Sequence, residues 1–399
     1  MKMKKIVILS ALIFSTGMLF AQSTTTANSK ARIKFLKGNI TEKTAAVREA
    51  SGNDAVWLSN KAIEFCLENK EIIGNDRELD ALAVAAILSI SPDYVQNMDE
   101  LQKRSLSLNF LSLFANFNSS STVQIAVITK IIAFKNQLPS KDFSDMLNNY
   151  LKTSGTKTAD SSVFKAALVA LEAIGNNETF SILYGFYNSD KYNGYKTEIE
   201  KTMISLVPDA MNEVLDIIHS SDLDKLSKFY ALISKNSKIS KNNLCEISEN
   251  VISQTILIME NSSRNVAGGY ELQLSALKTL AENKWTRSSS IVLSLFQTAK
   301  KNYENALMTE SQFTEVICSL SSIAPIDAVS PLITYLEELN AVTEKGNKVS
   351  DQIVMAVINT LGAIGDKSAF DSLLAVTYLN YSEAVLSAAR EALSGLRWQ

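Results

Sequence analysis

The chain predicts an all-α protein, an α-solenoid of stacked antiparallel helix pairs. Three observations predict it. A helical unit returns about every 40 residues. Apolar residues fall at helical spacing within each unit. Chain-breaking residues are scarce, with only 5 Pro and 14 Gly among 399 residues that are 46% hydrophobic. Strands need frequent turn punctuation, so that scarcity favours long helices. A helix pair of this size cannot bury its apolar face alone, and neighbours must stack on it.

The N-terminus reads as a secretory signal peptide over residues 1–21. Met1–Lys5 carries three lysines, Ile6–Phe20 is apolar and uncharged, and Ala21 offers a small residue for cleavage before Gln22. That order of segments is the export layout, and the apolar run is slightly short for a membrane span. Cleavage there removes three lysines and no acid, leaving 36 basic and 42 acidic residues and a net charge of −6. Such a chain has no general attraction to nucleic acid or anionic membranes. The expectation is a bacterial periplasmic or secreted protein with no stable membrane insertion once the leader is gone.

Residues 22–42 read as a polar lead-in. Residues 43–70 predict one or two helices that cap the N-terminal end of a solenoid running over 43–399. Within it, Val163, Ala166, Ala167, Ala170, Leu171 and Ile174 make one helical stripe. Ala384, Val385, Ala388, Ala389, Ala392, Leu393 and Leu396 make another. The alanines allow helices to approach closely.

An apolar residue marks the end of each unit's first helix: Ile90, Phe134, Ile174, Val207, Ile323 and Ile364, with Asn283 a weaker member. The steps are 44, 40, 33, 76, 40 and 41 residues, the 76 spanning a degenerate unit around 234–239. Short turns follow, such as Gly365-Asp366, where Gly suits the residue after a helix and Asp caps the next. The connections between units are longer and richer in Ser, Asn, Thr and Gly: 116–122, 153–162, 188–194, 261–269 and 340–350. Stacking would gather these long loops along one edge.

The segment from Ala356 to Leu396 resembles a HEAT repeat of the short bacterial type. Leu361, Ile364, Gly365, Asp366, Ala369, Leu373, Val385, Ala388, Ala389, Ala392 and Leu393 match the family's pattern. The Arg that usually follows the Val is Leu386 here, so the inter-repeat polar ladder is incomplete. The resemblance is strong over 352–397, fair over 163–188 and 311–340, and weak elsewhere. It implies a right-handed superhelix serving as a scaffold or binding platform. Some bacterial relatives of that type act as lyases on tetrapyrroles, but the matched residues here are helix-packing residues.

The chain offers little for catalysis. His219 is the one histidine, so triads, zinc sites and His-based acid–base pairs lack partners; its place at a helix end favours a role near the terminal carbonyls. Gly268-Gly269 reads as a loop before a helix and lacks the Lys and further glycines of a phosphate cradle. Glu337-Glu338 and Glu198/Glu200 read as solvated helix faces. Cys66, Cys245 and Cys318 read as small core residues rather than a bridge. No catalytic, metal or cofactor residue is assigned.

The candidate surface is aromatic. Tyr184, Phe186, Tyr187, Tyr192 and Tyr195 fall within twelve residues. Tyr187, Tyr192 and Tyr195 are the candidate partner-binding residues, since exposed tyrosines bury large area at low entropy cost. The other reading, weighted above binding, is that Tyr184 and Phe186 or Tyr187 pack into the core while the remaining tyrosines pin the loop; Tyr378 and Tyr381 occupy a comparable place after a later helix. The expectation is a non-catalytic exported scaffold that recognises a protein or peptide on the solenoid surface. A structural component of a cell-envelope assembly is the alternative.

Overall fold

The computed structural model describes residues 30–154, 161–261 and 266–397. The expected leader and its cleavage site lie outside them. The chain divides into two compact units between Ile174 and Gly175. Both are all-helical and solenoid-like, and the described residues contain no strand. No helix among them is long and apolar enough to cross a membrane.

The first unit contains α1 (Lys30–Lys37), α2 (Ile40–Glu49), α3 (Gly52–Ile73), α4 (Arg77–Ser89) and α5 (Pro92–Gln96). It continues with α6 (Glu100–Asn116), α7 (Ser121–Ala133), α8 (Ser140–Ser154) and α9 (Ser161–Ile174). Helices α2, α4, α7 and α9 pack in a row; α3, α6 and α8 pack against them. The stripe on α9 is the buried one: Val163, Ala167, Ala170 and Leu171 are fully enclosed. Each such Leu or Val contributes about 1.5–3 kcal/mol by leaving water.

Part of the stretch read as a polar lead-in is helical. Asn39 starts α2 with a reciprocal capping box to Glu42, and Phe35 of α1 sets its ring edge-on to Trp57 at 6.5 Å. Packing, rather than any apolar run, supports α1.

Lysines recur at helix ends in this unit. Lys43 donates to the Phe35 carbonyl and lies over the Phe35 and Phe65 rings, 4.9 and 5.3 Å from their centroids. Lys70 donates to the Gly74 carbonyl at 3.0 Å and lies 4.2 Å over Phe117. Lys130 donates to the Ile90 carbonyl and sits 5.5 Å over Phe134. Each ammonium satisfies a carbonyl that its helix leaves unpaired and answers the negative end of the dipole, while a ring face replaces part of its water.

The second unit contains α10 (Asn177–Tyr187), α11 (Lys196–Ser205), α12 (Met211–Ser220), α13 (Leu223–Ser234), α14 (Lys241–Asn261) and α15 (Val266–Glu282). After these come α16 (Ser289–Glu304), α17 (Glu310–Ile323), α18 (Val329–Glu344), α19 (Asp351–Ile364), α20 (Phe370–Val376) and α21 (Glu383–Ser394). Helices α15, α17, α19 and α21 form a row. Their closest companions are α14, α16, α18 and α20 respectively.

That pairing differs in phase from the sequence expectation, which joined α17 with α18 and α19 with α20 across the short turns. A tight turn keeps two helix ends together while the helices diverge. A longer connection lets the chain return and lie alongside.

Close approach depends on glycine at two places. A Cβ on Gly362 of α19 would stand 2.9 Å from the Ala392 Cβ and 3.0 Å from its Cα on α21. Gly268 and Gly269 lie inside α15, not in a loop before it. A Cβ on Gly269 would meet the Met259 sulfur of α14 at 2.5 Å, so the glycine serves helix packing rather than an anion. The Gly365-Asp366 turn forms as its chemistry requires. Gly365 has φ of 74°, and Asp366 accepts from the Ser368 amide at 2.8 Å. The Gly365 carbonyl then accepts from the Arg397 amide at 2.9 Å, tying the chain beyond α21 to the end of α19.

Candidate functional site

The aromatic cluster sits at the start of the second unit. Asn176 caps α10 through a reciprocal box with Thr179, and Phe180 and Leu183, one turn apart, are its fully buried anchors. With those two inward, Tyr184, Phe186 and Tyr187 lie on the flanks, each half-buried. Tyr184 sets its ring edge-on to Phe229 of α13 at 5.4 Å, an arrangement that aromatic quadrupoles favour.

The connection read as a long loop over 188–194 is instead a 3-10 turn, Asp190–Tyr195. Stacking explains the tightening: Tyr192 folds back onto Phe186 with centroids 4.0 Å apart and planes 18° from parallel.

Two ammonium groups border this stack. Lys196 Nζ lies 4.7 Å from the Tyr187 centroid and Lys191 Nζ 5.7 Å from that of Tyr192. Burial, and then the Glu200 carboxylate, push the Tyr187 phenol up; burial alone pushes up that of Tyr192. Both hydroxyls therefore stay protonated and can donate as well as accept. Tyr195 is half-buried at the end of the turn. The structure thus brings Tyr187, Tyr192 and Tyr195 onto one helix–turn–helix corner and leaves each a wet edge. Flat apolar faces, phenol hydroxyls and ammonium groups are what an amphipathic peptide surface engages.

The other tyrosine pair separates. Tyr378 is 81% exposed. Tyr381 is buried and donates to Asn340 Oδ1 at 2.9 Å. Asn340 Nδ2 in turn donates to the Ser372 carbonyl at 3.2 Å. Tyr381 is a strut, not a contact surface.

The remaining polar candidates are spent on structure. His219 Nε2 shares a hydrogen bond with Asn250 Oδ1 at 3.1 Å, and its carbonyl accepts from Gln254 at 3.0 Å, so it fastens the end of α12 to α14. Adjacent Glu337 and Glu338 diverge: one accepts from Ser372 Oγ at 2.8 Å and the other pairs with Lys300. Cys66 and Cys245 are buried free thiols, as core residues should be. Cys318 is also free but exposed, so the core reading fails for it. No three His, Cys, Asp or Glu side chains among the described residues are grouped to hold a metal ion.

No family model, no curated protein and no solved structure matches the chain.

Proposed function

We propose that the chain is a non-catalytic, exported scaffold of HEAT-like type that binds a protein or peptide through its helical surface. The observation that carries this reading is the half-exposed corner formed by Tyr187, Tyr192 and Tyr195, flanked by the Lys191 and Lys196 ammonium groups. Large rings already immobilised by stacking lose little entropy when a partner covers them. A partner segment with apolar and carboxylate side chains would match both the rings and the cations.

The test compares the mature chain with a Tyr187→Ser, Tyr192→Ser, Tyr195→Ser variant as baits for cell-envelope proteins. The reading expects one partner that the wild type retains and the variant loses while helicity by circular dichroism is unchanged. Equal retention by both baits sinks it.

An envelope-assembly role is the second reading. It draws support from α1, where Ile33 and Leu36, one turn apart, are 43% and 66% exposed. In that reading Ile33→Ser, Leu36→Ser, rather than the tyrosine variant, abolishes retention by the assembly.

A further inference from the structure

A cleft lies in the first unit, apart from the tyrosine corner. It measures about 490 Å³ and opens between α2 and α4, within the usual range for pockets that hold small ligands. Its α2 wall is the helical stripe Thr41, Thr44, Ala45 and Arg48; Arg77 and Ala81, one turn apart, face it from α4. Ala45 and Ala81 line the cleft between them, where larger side chains would fill the space.

The arginines are the informative residues. Among the described residues no acceptor holds the guanidinium of Arg48 or Arg77. Arg32, Arg287 and Arg390 are engaged, with Asp54 at 2.7 Å, with Glu246 and Glu249 at 3.5 Å, and with Glu383 at 3.1 Å; Arg104 is also uncommitted but stands outside the cleft, whereas Arg48 and Arg77 share it. Two uncommitted guanidinium groups on one cleft place ten N–H donors around it, and the fork geometry of each matches a planar oxyanion.

The carboxylates at the cleft restrict which anion fits. Glu49 is matched by Lys34 at 3.1 Å. Glu78, in the first turn of α4, also lines the cleft, and no cation among the described residues neutralises it. The cleft therefore carries a small positive excess. A dianionic phosphate next to Glu78 would meet stronger repulsion than a singly charged carboxylate.

We propose that the α2–α4 cleft is a carboxylate-binding site, Arg48 and Arg77 each receiving one carboxylate of an extended acidic ligand. Two receptors on opposite walls with a small-residue floor between them suit a chain bearing separated carboxylates, either an acidic peptide segment or a small dicarboxylate.

The full mature chain would be titrated with fluorescein-labelled hexaglutamate by fluorescence anisotropy, with glutarate and inorganic phosphate as competitors. Saturable binding is expected. Arg48→Gln and Arg77→Gln should each weaken it on the order of tenfold, the loss of one charged hydrogen-bonding partner. Glu78→Gln should tighten it. Arg104→Gln should leave it unchanged, because Arg104 is exposed on α6 outside the cleft. Displacement by glutarate identifies a small dicarboxylate as a sufficient ligand; peptide binding without it identifies an acidic chain segment. The proposal is overturned if neither probe binds, if Arg48→Gln and Arg77→Gln bind as the wild type does, if Arg104→Gln loses as much, or if phosphate outcompetes glutarate.

Discussion

Replacing Gly362 with alanine sets two effects of known sign against each other. Alanine in a helix interior is favoured over glycine by about 1 kcal/mol. At Gly362 the new methyl would stand 2.9 Å from the Ala392 Cβ and 3.0 Å from its Cα, inside van der Waals contact. The opposing atoms are a methyl and a backbone carbon, which cannot swing aside as a long side chain would. Overpacking of this kind costs about 1–3 kcal/mol, so the net expectation is a loss of up to about 2 kcal/mol. Gly185 supplies the control. It lies in α10 with nothing within 4 Å of its would-be Cβ, and Gly185→Ala should stabilise by about 0.5–1 kcal/mol. Urea unfolding followed by circular dichroism should therefore move the two midpoints in opposite directions. The contact itself is isolated by Ala392→Gly: in the double variant with Gly362→Ala the costs should fall short of additive by on the order of 1 kcal/mol. A stabilised Gly362→Ala protein, or strict additivity with Ala392→Gly, would refute the claim that glycine is there to let α19 and α21 touch.

Burial, together with the Asp80 charge, pushes the Cys66 thiol up to about 12, so a thiol reagent near neutral pH should titrate Cys318 alone in the folded chain and all three cysteines after denaturation; rapid reaction of a second native thiol counts against the burial of Cys66 and Cys245. Tyr381→Phe should cost about 1–3 kcal/mol in denaturant unfolding, because it leaves the buried Asn340 oxygen without its donor, and a neutral result would mean that the Asn340 link is idle. Burial lowers the Lys130 ammonium below its ordinary value. Between those two values the unfolded chain holds more protons, so stability rises with pH through that window and the full burial cost is present below it. Lys130→Met should flatten that alkaline rise in thermal melts; an unchanged slope would show that the ammonium is not desolvated.

Much of the fold was legible because its determinants are local. The stripe on α9 and the Gly365-Asp366 turn each lie within one helix or its ends, where periodicity and capping chemistry operate. What escaped depends on neighbours distant in sequence. Lys130 reaches the Ile90 carbonyl 40 residues away, and nothing in its own helix announces that. Gly268-Gly269 looks like a loop until Met259 is seen filling the space against it. The first helix, α1, has a mainly polar sequence and depends on rings and ion pairs from α3. The candidate sites divide the same way. Tyr187, Tyr192 and Tyr195 were visible as a run, whereas Arg48 and Arg77 lie 29 residues apart and share a cleft only because α2 and α4 are neighbours in a row.

The lysine caps answer one problem of stacked helices. Stacked helices present carbonyl ends to one another at every step, and each needs a donor. In the first unit Lys43, Lys70 and Lys130 supply it from half-buried or buried positions over aromatic rings. In the second unit, neutral links also join helices. Tyr230 bonds Ser248 at 2.8 Å and Thr279 at 3.1 Å, joining α13 to α14 and α15, and the Tyr381–Asn340–Ser372 chain serves α18 and α20. Neutral links of this kind hold helices together without desolvating a charge.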